Sequence, residues 1–324
     1  MSDQKITDYT EVSDPEEEDF LEIVEDPTGT PSSRKASLAR LFGTLISSRC
    51  EGRLTTESGV AVSSADRTAQ STLYFTPYKG NRVALHDGTR WKQYKFTELS
   101  LALSGLTSGK PYDVFLQDIA GTLTLVILVW TNDTTRATAL ALQDGVYVKT
   151  GATTQRYLGT IYTTGTTTTE DSAAKRYVWN YYHRVPRNMK NATETTNSWT
   201  YTTATLRQAN AAAGNQLDYV VGVAEDLVEA DVYALVSNSS SNISVTTGIG
   251  VDSTSANSAQ VFGYSIPVAG TVVWSSAHYK GIPGVGRHFL AWLEYSSASG
   301  TTTWYGDVNL PAQFQSGIRG VVWA

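Results

Sequence analysis

Short runs of β-branched and aromatic residues, broken at intervals of roughly ten residues by Gly, Asp and Ser, constrain this chain more than any other feature. Between Ser71 and Thr169 three two-residue turn signals each separate a pair of such runs. Asp87-Gly88 lies between Arg82–Leu85 and Arg90–Tyr94, Ala120-Gly121 between Asp113–Leu116 and Leu123–Val129, and Asp144-Gly145 between Ala139–Leu142 and Val146–Val148. Such dipeptides supply the positive φ angles that a tight turn between antiparallel strands requires, so each pair is expected to form a hairpin. The run Leu123–Trp130 is apolar at nearly every position. That is the pattern of a strand buried on both faces, and it is expected in the core.

A second β region begins near Tyr177 with Tyr177–Tyr182. It continues through Leu217–Val223, Asp231–Val236, Ile243–Thr247, Gln260–Pro267, Thr271–Ser275, His288–Tyr295 and Thr301–Tyr305. The apolar Ile318–Ala324 reads as a final, buried strand. The fold class expected is all-β, with two β-sandwich or jelly-roll-like domains, a short N-terminal arm and helix, and assembly as a homotrimer. The arm takes residues 1–50, a middle β domain 51–175, and a C-terminal sandwich knob 176–324.

Charge divides the chain unevenly. Residues 1–30 carry eleven acids against Lys5, a net −10, which leaves +4 for everything else. Within that acidic stretch Phe20, Leu21, Ile23 and Val24 form one short apolar run. An isolated strand buries too little surface to offset chain entropy, so the arm is either disordered or ordered by docking on another protein. Ser37 then stands at the N-cap of a segment with Leu38, Leu41, Phe42 and Leu45 at helical spacing. This helix packs either on its own domain or in a three-stranded bundle. Charged residues make up only 17% of the chain, and uncharged Thr-, Ser- and Tyr-rich faces suit subunits that pack against copies of themselves.

The same composition argues against several functions. An excess of +4 without a Lys/Arg cluster is too dilute for a nucleic-acid partner. Cys50 has no second cysteine to pair with and reads as a buried small hydrophobe. Four histidines without ligand spacing point to no metal and no cofactor. No run is long and apolar enough to insert in a membrane as a helix, and no signal peptide is evident, so synthesis in a cytoplasm is expected. Nucleophile elbows, phosphate loops and zinc-protease motifs are missing, and a non-enzymatic role is expected. Gly281–Gly286 reads as a loop, and Asp252–Ser255 lacks the spaced acids of a calcium loop. Glu225, Asp226, Glu294 and Asp307 are the acids available for a glycosidase pair, each expected in a solvated turn or at a strand end. Trp179, Tyr181, Tyr182, Trp304 and Tyr305, with Trp199 and Tyr201 beside them in sequence terms, lie in polar, turn-rich surroundings. They are candidates for stacking on sugar faces, with core or interface packing as the alternative.

Several phrases also resemble known proteins. Asp19–Asp26, the Pro-Thr-Gly-Thr turn after it and Arg34–Leu41 are similar to the openings of bacteriophage fibre and virion proteins. Leu73–Tyr78, Leu85–Trp91, Tyr112–Phe115, Arg156–Thr160, Thr169–Ser172, Trp179-Asn180 and His288–Tyr305 resemble segments of phage and prophage structural proteins. The resemblance implies a tailed-bacteriophage virion structural protein, a tail or head fibre, spike or baseplate component made in the host bacterial cytoplasm and located in the virion. It implies virion attachment through Phe20, Leu21, Ile23, Val24, Leu38 and Leu41, with another virion protein as partner, and a host-surface glycan as the ligand in host attachment. A capsid decoration protein or head fibre without receptor binding, and a polysaccharide depolymerase, are the alternatives.

Overall fold

The computed structural model describes residues 20–25, 32–37, 47–190, 194–265, 268–310 and 313–324, the first two segments as backbone. Among these residues the regular secondary structure is nearly all strand, as the all-β expectation requires, with one 3-10 turn at Ala209–Ala211.

The three hairpins form where the turn signals stand. Pro111–Ile119 pairs with Thr122–Val129, and Leu140–Gln143 with Val146–Lys149. Their two-residue turns have φ of 50° and 88° at Ala120 and Gly121, and 51° and 81° at Asp144 and Gly145. Two successive positive φ values match the right-handed twist of the strands they join. Arg82–His86 pairs with Trp91–Lys95 across a longer turn, in which the Asp87 carboxylate accepts the N–H groups of Thr89 and Arg90.

Pro111–Ile119 and Ala152–Tyr162 are the centre of a six-stranded sheet. One of its faces, through Val114, Leu116, Leu158 and Ile161, packs on Leu54, Leu73 and Phe75 of a three-stranded sheet (Gly52–Thr55, Thr72–Pro77, Leu99–Ala102) and on Val83 and Leu85 of the hairpin. The opposite face carries Phe115 and Tyr157 into a second, larger core. Alternation along the strands therefore places two cores on one sheet. The pairing shifts register between Tyr157 and Gly159, where Val178–Asn180 joins. A Cβ at Gly159 would lie 2.1 Å from the Trp179 carbonyl oxygen, so glycine is required there.

The larger core fills a C-terminal sandwich. Its eight-stranded sheet runs from Tyr264–Ser265 through Val245–Val251, Gly286–Ser296 and Gln216–Val221 to three short strands, Lys175–Arg176, Thr169–Asp171 and Arg67–Gln70. Its seven-stranded sheet has Val228–Asn238 at the centre, between Val273–Gly281 on one side and Gly317–Trp323 followed by Pro186–Lys190 on the other. Val228, Ala230, Val232, Ala234 and Val236 face inward from the second sheet, against Leu217, Tyr219, Ile249, Leu290 and Trp292 from the first. The C-terminal strand is buried as expected at Ile318, Val322 and Ala324. The boundary expected at 175/176 is crossed, since the eight-stranded sheet recruits Arg67–Gln70 and Thr169–Arg176 from the middle segment.

Thr122–Val129 is an edge strand, with Leu125 buried and its other apolar residues half-buried. It is apolar on both faces because Leu123, Ile127 and Val129 meet one core while Val126 and Leu128 meet the other, yet its outer edge has no neighbouring strand among the described residues. Phe20–Glu25 is one half of an antiparallel hairpin with Ser32–Ser37, Phe20 standing opposite Ser37. The helix expected over Leu38–Leu45, and with it Leu38 and Leu41, lies outside the described residues.

Candidate functional site

The outward face of the seven-stranded sheet carries large rings that the core does not use, Trp323 on the C-terminal strand and, together in one groove, Tyr233 and Trp274. Along Val228–Asn238 the inward phase holds Val232 and Ala234, which turns Tyr233 outward, 42% exposed. Along Val273–Gly281 the inward phase holds Ser275, Ala277 and Tyr279, and Trp274 stands outward at 53% exposed. The register places Leu235 opposite Trp274 and Tyr233 opposite Ser276, so the rings are diagonal neighbours on one face. They line a groove of about 770 Å3 together with Lys190, Ser276, Gln315, Gly317, Ile318 and Arg319.

Ion pairs organise the rest of this face. Glu229 and Lys280 are directly paired and their charges lie 2.5 Å apart. Asp231 meets His278 Nδ1 at 2.6 Å and Arg319 Nε at 3.9 Å. The Arg319 guanidinium lies 5.3 Å from the centre of the Tyr233 ring, a cation–π contact that also positions it along the groove wall. Asn188, Lys190, Glu229, Asp231 and Arg319 line an adjoining depression of about 440 Å3. The surface is thus an aromatic floor with charged groups at its rim, suited to an amphipathic ligand that stacks through C–H faces and hydrogen-bonds through its edges.

The rings singled out in the sequence lie elsewhere. Trp179 and Trp304 are buried and belong to the larger core, so neither can stack on a ligand. Their strands point them between the sheets, where a large indole fills the inter-sheet space. Tyr181 is half-buried against the same core, in edge contact with Tyr147. The Tyr182 hydroxyl accepts from Arg156 Nε at 3.1 Å, beneath the guanidinium. Tyr305 is half-buried and its hydroxyl lies 3.0 Å from the Ser237 hydroxyl. Tyr233 and Trp274 were legible in principle, as aromatic residues on the polar phase of two strands.

The candidate acids are held in structural pairs. Glu225 and Asp226 both meet Arg184, at 2.7 and 2.6 Å. Asp307 is buried and accepts the Asn309 N–H at 2.9 Å. Glu294 departs most from the solvated position expected of it, because it is fully buried between the sheets. It accepts from Trp199 Nε1 at 2.7 Å, Arg207 Nε at 2.8 Å and the Asn210 N–H at 3.1 Å. Burial pushes its carboxyl up to about 7, against the pull of Trp199, Arg207 and Asn210. Asn210 also donates through Nδ2 to a second buried acid, Glu194. There burial is outweighed by the donors of Thr196, Asn215 and Asn210, which hold the carboxyl below its ordinary range. Asp252 accepts the Phe289 N–H and lies 2.8 Å from His288 Nδ1. Among the described residues no group of three His, Cys, Asp or Glu side chains is placed to hold a metal ion, and no helix is long and apolar enough to cross a membrane.

No protein-family model and no curated protein matches the chain. Among solved structures it is similar to the insecticidal delta-endotoxin Cry8Ea1 from Bacillus thuringiensis, at 8% identity and a TM-score of 0.25 over 94% of this chain and 59% of that one. Similarity to the infectious bursal virus derived T=1 particle structure stands at 10% identity and a TM-score of 0.29, over 80% of this chain and 64% of that one. A family 86 β-porphyranase from Bacteroides plebeius matches at 9% identity and a TM-score of 0.19, over 94% of this chain and 44% of that one. The chain thus spans less than two thirds of the length of each of these proteins.

Proposed function

We propose that this chain is a structural subunit of a bacteriophage particle, a homotrimeric fibre or spike that docks on the virion through its N-terminal arm and adheres to host-surface carbohydrate through its C-terminal sandwich. The observation that carries the adhesive part is the pair of exposed rings, Tyr233 and Trp274, in one groove on the outward sheet face. Sugar faces stack on rings exposed in this way. The acids nearest the rings, Glu229 and Asp231, are engaged by Lys280 and His278, which favours binding over bond cleavage. Three copies of one weak site give the avidity an adhesin needs. Virion origin rests on the resemblance of the N-terminal and middle segments to phage structural proteins.

The test has two parts. Light scattering on the full-length protein gives the mass of a trimer, and a monomer contradicts the assembly. Fluorescently labelled protein adsorbs to host cells, and Trp274→Ala lowers adsorption at least about tenfold, equivalent to ~1.4 kcal/mol per site. Unchanged adsorption by that variant removes the assigned face.

A further inference from the structure

We infer that the sugar recognised in this groove is acidic, a hexuronic acid or similar carboxylated residue whose ring lies on Trp274 and Tyr233 and whose carboxylate meets Lys190 and Arg319; this rests on the carbohydrate reading above. Lys190, the last residue of Pro186–Lys190, is the direct cross-strand partner of Arg319. Both side chains are exposed on the outward face, and both line the 770 Å3 groove and the 440 Å3 depression beside it. Like charges directly opposite one another on neighbouring strands repel, and a folded monomer gains nothing from the arrangement.

Charge in the same cross-strand row does not resolve the repulsion. Arg319 is followed by Asp231 and then His278. That single carboxylate is held at 2.6 Å by His278, and its contact with Arg319 is long, 3.9 Å, and made to Nε. Among the described residues no carboxylate lies within ion-pair distance of the Lys190 ammonium, and the two terminal guanidinium nitrogens of Arg319 have no hydrogen-bond acceptor. Two cations therefore face the groove with donor capacity unspent, one of them fixed by the Tyr233 ring beneath it. A planar guanidinium fork binds a carboxylate through two parallel bonds, and a neighbouring ammonium supplies a point charge. A ligand that joins an apolar ring face to a carboxylate satisfies both halves of the groove at once. A neutral sugar would use only the rings and leave the paired cations unrelieved.

Calorimetric titration of the full-length protein with polygalacturonate and hyaluronan fragments, and with the same fragments after chemical reduction of their carboxyl groups, tests the inference. The expected result is binding of the acidic fragments that weakens at least about tenfold on carboxyl reduction or in 0.5 M salt. Lys190→Gln and Arg319→Gln, both exposed positions, should each reduce binding of the acidic form and leave the reduced form unaffected. Equal binding of acidic and reduced fragments, unchanged by either variant, overturns the carboxylate assignment and leaves the carbohydrate reading standing. Binding of neither form overturns both. Acidic fragments that bind equally well to Trp274→Ala point to charge attraction alone and also overturn the assigned pose.

Discussion

Glu294 sits where a strand-end acid should not, and its environment makes it a probe of the interior. Its carboxyl is raised to about 7, above the ordinary carboxylate value of 4.5 that it recovers on unfolding. The folded state therefore holds a proton that the unfolded state has released, across the window from about 4.5 to about 7. Stability contributed by this group is fully present below that window and is lost as pH rises through it, by at most ~3 kcal/mol. Denaturant unfolding of Glu294→Gln at a series of pH values should lose that decline relative to the parent, and parallel profiles for the two proteins would contradict the assignment. Composition and motif gave this residue a place among the acids but not its burial. Its donors, Trp199, Arg207 and Asn210, come from a segment roughly ninety residues earlier in the chain, and no local pattern announces that pairing. The exposed rings failed to stand out for a related reason. Trp179 and Trp304 lie in segments dense in aromatic residues, whereas exposure depends on the phase of a strand, and Tyr233 and Trp274 occupy the outward phase of theirs.

Strands and turns were far more legible, because two-residue turns and period-two alternation are local. Ala120-Gly121 and Asp144-Gly145 adopt the left-handed pair of conformations that such hairpins demand. Ala120 carries a Cβ at φ 50°, a conformation that asparagine tolerates better. Ala120→Asn should raise stability by up to about 1 kcal/mol in urea unfolding, and a loss of stability would argue against this turn geometry. Thr122–Val129 marks the limit of such reading. An all-apolar run is read as a central strand, yet here it results from two separate cores meeting one edge strand. Sheet order is a long-range property, and hydrophobicity along one segment does not encode it.

At the scale of the molecule, buried ions join strands of the two sheets of the C-terminal sandwich. Asp171 accepts from Arg176 and from Arg187, each at 3.0 Å, with all three side chains buried. Asp171→Asn leaves two guanidinium groups short of their counter-charge and should cost about 3–5 kcal/mol in equilibrium unfolding, whereas a loss under 1 kcal/mol would show that the charge is dispensable. The contact of Asp171 with Arg187 ties Thr169–Arg176 to Pro186–Lys190, and Arg67–Gln70 joins the same sheet by pairing with Thr169–Asp171. The acidic arm remains the attachment element of the proposal. Deleting residues 1–30 should leave the trimer intact by light scattering while abolishing incorporation into particles, and normal incorporation would refute that role. The central claim is that the face bearing Tyr233 and Trp274 binds carbohydrate, and calorimetric titration of purified host-surface polysaccharide into the parent protein and into Trp274→Ala tests it most directly. The account predicts saturable binding to the parent and at least about tenfold weaker binding to the variant; equal affinities, or no heat of binding to the parent, would contradict it.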